Sequence, residues 1–281
     1  MPGSAGLTEH MADAREFAQS VAGVVRRHGS IAGGGWAPGQ PAPTVSVDLT
    51  AALDEIGWET LSDDPALIAC AGLGGIELGR GLAPLIHVDR LLSASPVAGD
   101  LVRCRAPEAM VFSGDRHAVT VAPVLRSVPC PSADGLDVHR VLETGPAVSR
   151  DSVRFAVARA AWRAAGVGYL AGLGESALQL TVEYACQRRA FGATLAALPP
   201  VQQLLAAAAT WVRGVGLLAG DGPDNDALAY AGTAIVDACA ACQQVSGAIG
   251  FTLEYPLHRY SQRARALATW NDALLGGVVG G

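Results

Sequence analysis

Lysine is missing altogether: all 20 basic residues of the 281-residue chain are arginine. Without a lysine there is no Schiff-base amine, which excludes that class of covalent catalysis. Charge of either sign is scarce, at 16% of residues, and the net charge of -6 leaves no footprint for nucleic acid or for an anionic membrane surface. An all-arginine cation set points to coding composition, so pairs such as Arg26-Arg27 and Arg188-Arg189 say little by themselves. Half of the residues are apolar, which makes the chain globular rather than disordered. Its length suffices for one large domain or two modest ones with a sizeable core.

The N-terminal stretch MPGSAGLTEHMADAREF has no apolar core of the signal-peptide kind. A reducing, cytoplasmic setting with free thiols is therefore the expectation for the six cysteines. Cys239 and Cys242 form a CxxC, but no second pair or nearby histidine accompanies them. Within the Ala-rich DACAACQQV they read as small core residues, not as a metal or redox site. From Ala227 to Leu253 the only charge is Asp237, a run that approaches membrane-spanning length. Gln243, Gln244 and several small residues within it, and the lack of flanking aromatic anchors, favour a helix buried at the centre of a bundle.

Along the chain, residues 1–105 read as an N-terminal helical domain, opening with a helix over Leu7–His28. A Gly/Pro-rich linker, Gly33–Pro43, interrupts it. The run Gly72-Leu73-Gly74-Gly75 follows no strand and lacks dinucleotide or Walker spacing, so it is expected to be a turn. Residues 106–146 form a shortened β segment: MVFSGDRHAVTVAPVLRSV alternates about a Ser-Gly-Asp turn as a hairpin, and GLDVHRVLE adds a strand. That segment is expected to be too short to close a barrel.

Residues 147–281 are helical again. Ser152 starts a long helix reaching about Arg188, on which Glu175, Gln179, Glu183 and Gln187 make a polar, solvent-facing stripe. A second helix runs from about Pro199 to Leu218, a third from Asn225 or Asp226 as cap to Gly247, and a fourth from Pro256 to Leu275 before a Gly-rich tail. Four long helices with short connections predict a four-helix bundle. The fold class is thus mostly α.

Two blocks in this half carry a family pattern. The first is Tyr184, Ala185, Arg188, Phe191 and Gly192, continued by Val201 and Gln202 at the start of the next helix. The second is Gln244, Gly247, Gly250, Phe251, Glu254, Tyr255 and Pro256, with Arg259 and Arg263 beyond. Together they resemble the acyl-CoA dehydrogenase family over about residues 150–275, and DEIGW with ELGRGLAP is similar to that family's N-terminal helices. The resemblance implies an acyl-CoA dehydrogenase-like fold, FAD at a subunit interface and an acyl-CoA substrate. It assigns Arg188 to the FAD pyrophosphate, Phe191 to packing on the cofactor, and Gln244 and Gly247 to its adenine or ribityl portion. A bidentate Arg–phosphate contact suits the first of these roles.

What the family's chemistry needs is nevertheless missing. The α proton of a thioester is weakly acidic and requires a well-placed carboxylate with a raised pKa. By the resemblance, the commoner base position holds Asn271, after Trp270, and the minority position holds Trp162. Neither residue accepts a proton at neutral pH. Asp272, one place beyond, is the weak candidate that remains. The family's Thr-Glu-Pro and Trp-Ile-Thr-like motifs are absent between Ala106 and Gly145. The leading reading is a base-lacking subunit that pairs with a catalytic acyl-CoA dehydrogenase subunit. A self-sufficient flavoenzyme using Asp272, or altered chemistry, is the second, and a non-enzymatic helical scaffold or binding module the third.

Overall fold

The computed structural model describes residues 4–28, 47–92, 95–98, 101–103, 108–112, 119–130, 136, 138–150 and 152–279. The Gly33–Pro43 linker, the Ser-Gly-Asp turn and Cys104 lie outside the described residues.

The N-terminal helices are α1 (Ser4–His28), α2 (Val47–Glu55), α3 (Ile68–Arg80) and the short α4 (Ile86–Asp89). The bundle consists of α5 (Ser152–Gln187), α6 (Pro199–Ala219), α7 (Asn225–Ser246) and α8 (Leu257–Val279). Helix α5 is the axis of the molecule, packing on α3 at one side and on α6, α7 and α8 at the other. The polar stripe falls as expected, with Gln179, Glu183 and Gln187 exposed and Glu175 half-buried against Arg80. Proline at the first turn opens α6, where its missing N–H costs nothing. The cap of α7 is Asp224, whose side chain accepts the Ala227 N–H at 2.8 Å. That is one residue before the expected pair, because Asp224 keeps the extended backbone a cap requires. Helix α8 continues through Gly276 and Gly277 to Val279 rather than ending in a loose tail.

The Gly72–Gly75 run is not a turn. It lies inside α3, and the reason is packing. A Cβ on Gly75 would meet the Ala165 carbonyl, and one on Gly79 the Tyr169 carbonyl. In return, Cβ atoms on Gly168 and Gly172 of α5 would strike the Gly72 and Ile76 carbonyls. Two helix backbones touch here, and the glycines are what permits it. The unfavourable helix propensity of glycine is outweighed by this close packing.

The α7 region is apolar and long enough to cross a membrane by length and composition, with mean hydropathy 1.2 over Asn225–Phe251. Its apolar faces are engaged by all three other bundle helices. Cys239 and Cys242 are free and buried in that core, and burial pushes both thiols up, away from reactivity.

The strands begin at Ser95, ahead of the expected start at Ala106. They are β1 (Ser95–Ala98), β2 (Leu101–Arg103), β3 (Glu108–Phe112), β4 (Val119–Pro129), β5 (Val138–Thr144) and β6 (Val148–Arg150). The expected hairpin is β3–β4, and GLDVHRVLE supplies β5. The pairing order β3-β1-β2-β5-β4 returns to β3 through the β3–β4 pair, so the strands close on themselves. Two short strands hidden in residues 95–103 supply what the sequence reading lacked for closure.

One buried group sets a pH dependence. His87 is fully buried, neither ring nitrogen has a hydrogen-bond partner, and burial beside Arg90 lowers its pKa to about 4. The folded chain therefore holds it neutral, while the unfolded chain titrates near the ordinary value of about 6.5. Its contribution to stability is whole above pH ~6.5 and is lost as pH falls toward about 4. At ~1.36 kcal/mol per unit the loss reaches roughly 3 kcal/mol. Urea titrations of the wild type and His87→Leu from pH 7 to 4 should show a flatter acid limb in the variant.

Candidate functional site

The two base positions named from sequence are brought together. Trp162 on α5 and Asn271 on α8 line one small void, with Leu85, Val88, Arg103, Tyr169, Leu228 and Leu267 around them. Its volume is about 10 Å³, room for about one water and no more. Asn271 is 4% exposed and Trp162 equally buried. Asp272 is exposed on the outer side of α8 and does not line the void. Successive helix residues point about 100° apart, so Asp272 and Asn271 cannot share a face.

What fills the space is a polar assembly that sequence reasoning did not single out. Asp89, at the end of α4, accepts from Arg103 Nε at 2.9 Å and from Nη2 at 2.5 Å. Its Oδ1 also accepts from Trp162 Nε1 at 3.0 Å. The Arg103 guanidinium lies over the Trp270 ring, 5.7 Å from its centroid. The β strands, α4, α5 and α8 thus meet on one buried ion pair. Nearby, Tyr169 donates to the Ala83 carbonyl at 2.7 Å and accepts from Arg263 at 2.8 Å. A charged residue in the apolar stretch LVRCR was the available hint of Arg103; its partner fourteen residues away carried none.

The other nominated residues gather at the opposite end of α5. Just past its last turn, β7 (Arg189–Ala190) and β8 (Ala193–Thr194) form a minimal hairpin. Its two turn residues, Phe191 and Gly192, have φ of 54° and 83°, the left-handed pair that a two-residue hairpin turn demands. Glycine takes this at no cost; phenylalanine does not. Phe191 is also 94% exposed, and Arg188 beside it is exposed as well. A strained, solvent-facing aromatic is unfavourable in an isolated chain and calls for a contact outside it.

The end of α7 sits at the same end of the bundle. Tyr255 binds the Leu180 carbonyl at 2.9 Å and its ring lies 6.0 Å from that of Tyr184. These contacts hold the turn 247–251 and the start of α8 against the last turns of α5. On that turn, Gly247 has φ of 64° and a Cβ there would find nothing within 4 Å. Gln244 is exposed just before it, and Ile249, Phe251 and Leu253 add exposed apolar surface. Arg188 and Phe191 at the hairpin and Gln244 and Gly247 at the end of α7 are exposed at the same end of the bundle, whereas Asn271 and Trp162 belong to the interior. The described residues hold no cluster of three or more metal-ligating side chains. Two larger open clefts, of about 520 and 480 Å³, flank α1 and contain none of the nominated residues.

No protein-family model matches the chain. In sequence it is 29% identical over 252 residues to acyl-CoA dehydrogenase FadE28 of Mycobacterium tuberculosis, an alignment covering 82% of this chain and 66% of that protein. The chain thus spans just under two thirds of that relative's length. Among solved structures, the ChsE4–ChsE5 complex from Mycobacterium tuberculosis aligns with a TM-score of 0.66 at 15% identity, covering 95% of each chain. Glutaryl-CoA dehydrogenase from Mycobacterium smegmatis, in complex with FADH2, aligns with a TM-score of 0.64 at 14% identity, covering 95% of this chain and 93% of that one. The architecture is the acyl-CoA dehydrogenase fold. In sequence the chain is similar to an acyl-CoA dehydrogenase, and in fold to several.

Proposed function

We propose that the chain is the base-lacking subunit of a heteromeric, FAD-linked acyl-CoA dehydrogenase that desaturates an acyl-CoA thioester. The observation that carries the reading is a division within one fold. The interior where both base positions meet is filled, while the outward edge of Arg188 and Phe191 is built and left uncovered. A two-chain assembly also has support from the ChsE4–ChsE5 complex among the neighbours in fold.

FAD fits the outer edge. Gly247 leaves open space where any side chain would stand, and the exposed Arg188 guanidinium offers a forked donor for a pyrophosphate. Phe191 would cover the cofactor and lose its exposure in doing so, with Gln244 and Gly247 toward the adenine or ribityl portion. The flavin, when bound, supplies the hydride acceptor. This chain's own share is binding and orientation from one side. The amide of Asn271 cannot take the α proton, and the void it lines, about 10 Å³, is too small for an acyl chain. Proton abstraction falls to the partner.

Purified alone, the chain should be colourless; co-expressed with a relative that retains the carboxylate base, it should yield a yellow, active complex in equal amounts. Arg188→Ala in that complex removes a charge-assisted pair of hydrogen bonds and should weaken FAD binding about 10- to 100-fold. Flavin absorbance against protein concentration reads both outcomes. A partner that is fully flavin-loaded and active by itself would sink the proposal, as would stoichiometric FAD and dehydrogenase activity in this chain alone.

A further inference from the structure

The resemblance directed attention to Gln244, which is exposed; the residue before it is the one the fold engages. Gln243 is 4% exposed on the last turn of α7. Its Oε1 accepts from Ser261 Oγ at 3.1 Å and from Arg265 Nη2 at 3.0 Å, both on α8. Its Nε2 donates to the Gly250 carbonyl at 3.4 Å. Its own carbonyl receives the Gly247 N–H that caps α7. Gly250 packs so closely here that a Cβ would meet Gln243 Cα and O at 3.3 Å and Ser246 Cβ at 3.0 Å. One residue thus grips the 247–251 turn from its backbone and its side chain, and ties it to α8.

We infer that Gln243 is a positioning residue for the flavin-facing turn, fixing Gly247 and Gln244 so that they meet the cofactor in one geometry; this rests on the FAD reading above. The physical argument is preorganisation. Gly247, with positive φ and no side chain, has more freedom than any other residue type, and a loose turn would lose that freedom on each binding event. A buried amide satisfied at both ends removes the freedom beforehand. A leucine of similar size would bury the Ser261 hydroxyl and the Gly250 carbonyl without this partner, and release the turn.

The test uses the co-expressed complex with Gln243→Leu, Gln243→Glu and Ser261→Ala, measuring FAD affinity and amide hydrogen exchange. Gln243→Leu should weaken FAD binding about tenfold, with exchange accelerated within residues 247–251 and subunit assembly intact. Gln243→Glu retains the two acceptor bonds to α8 but sets an oxygen against the Gly250 carbonyl. It should therefore keep α8 in place yet still weaken FAD binding and accelerate exchange within residues 247–251; wild-type affinity in this variant also overturns the inference. Wild-type affinity in Gln243→Leu overturns the inference, as does exchange accelerated evenly through α7 and α8, which marks an ordinary core residue. Should the leucine variant not assemble, Ser261→Ala decides alone: it deletes one bond to Oε1 and should weaken FAD binding about threefold, and unchanged affinity overturns the inference. Arg188→Ala separates the two ideas. If it loses flavin while the Gln243 and Ser261 variants do not, this inference fails and the FAD reading stands; if Arg188→Ala also binds normally, the FAD reading has failed.

Discussion

Gly168→Ala should destabilise the chain by more than ~3 kcal/mol, although it adds a single methyl group. That methyl would drive into the Gly72 carbonyl, and its next neighbours, Gly72 C and Ile76 N at 3.0 Å, are also backbone. Ordinary overpacking costs about 1–3 kcal/mol because side chains move aside. Here the obstacle is the main chain of α3, which is held in turn by Gly75 on Ala165 and by Gly172 on Ile76. Relief requires separating the two helices along the whole contact and losing the dispersion gained there. A cost above ~3 kcal/mol consumes much of the roughly 5–15 kcal/mol that a domain has. Gly214→Ala supplies the opposite sign: it lies within α6, nothing stands within 4 Å of its would-be Cβ, and it should stabilise the isolated chain by about 0.5–1 kcal/mol. Circular dichroism melts of both variants check the pair, and equal small shifts would show that the close crossing does not matter.

The same glycines show what a sequence can and cannot reveal. Periodicity finds each helix, since the spacing of apolar residues on α5 or α7 is a property of one element. It does not find that α3 and α5 touch backbone to backbone, so a glycine-rich run reads as a turn. Helix Ile68–Arg80 persists because α5 presents its own glycines in register, a fact distributed over two segments nearly a hundred residues apart. Strand closure was illegible for a similar reason. β1 and β2 have four and three residues, too short to show alternation, and they matter only through pairing with β3 and β5. At the outer edge Arg188, Phe191 and Gly247 were named from family likeness, and the structure adds that Phe191 and Gly247 stand at turns of positive φ. Nothing local marks Gln243, because Ser261 and Arg265, which bind its Oε1, lie on another helix.

Asp89→Ala should cost about 3–5 kcal/mol and lower Tm by on the order of 10 °C. The Asp89–Arg103 pair is 3% and 2% exposed, so removing the carboxylate leaves the guanidinium in an apolar interior facing the place its anion held. Desolvation then opposes the fold without the attraction of this carboxylate, and Trp162 loses its bond to Asp89 Oδ1. The double variant Asp89→Leu with Arg103→Met should recover most of the loss, since a buried pair is worth little against apolar residues of similar volume. If the single variant is as stable as wild type, the pair is not what closes the interior. The outcome also bears on function, because the pair occupies ground between the two base positions. A chain that had to admit an acyl thioester there could not fasten its strands to α5 and α8 through the same space. In the single and double variants alike, restoring volume restores no base: Asn271 still offers an amide where proton abstraction needs a carboxylate. Both should therefore remain without dehydrogenase activity when assayed alone, while their outer edge, with Arg188 and Phe191 untouched, should support flavin binding in the complex as the wild type does.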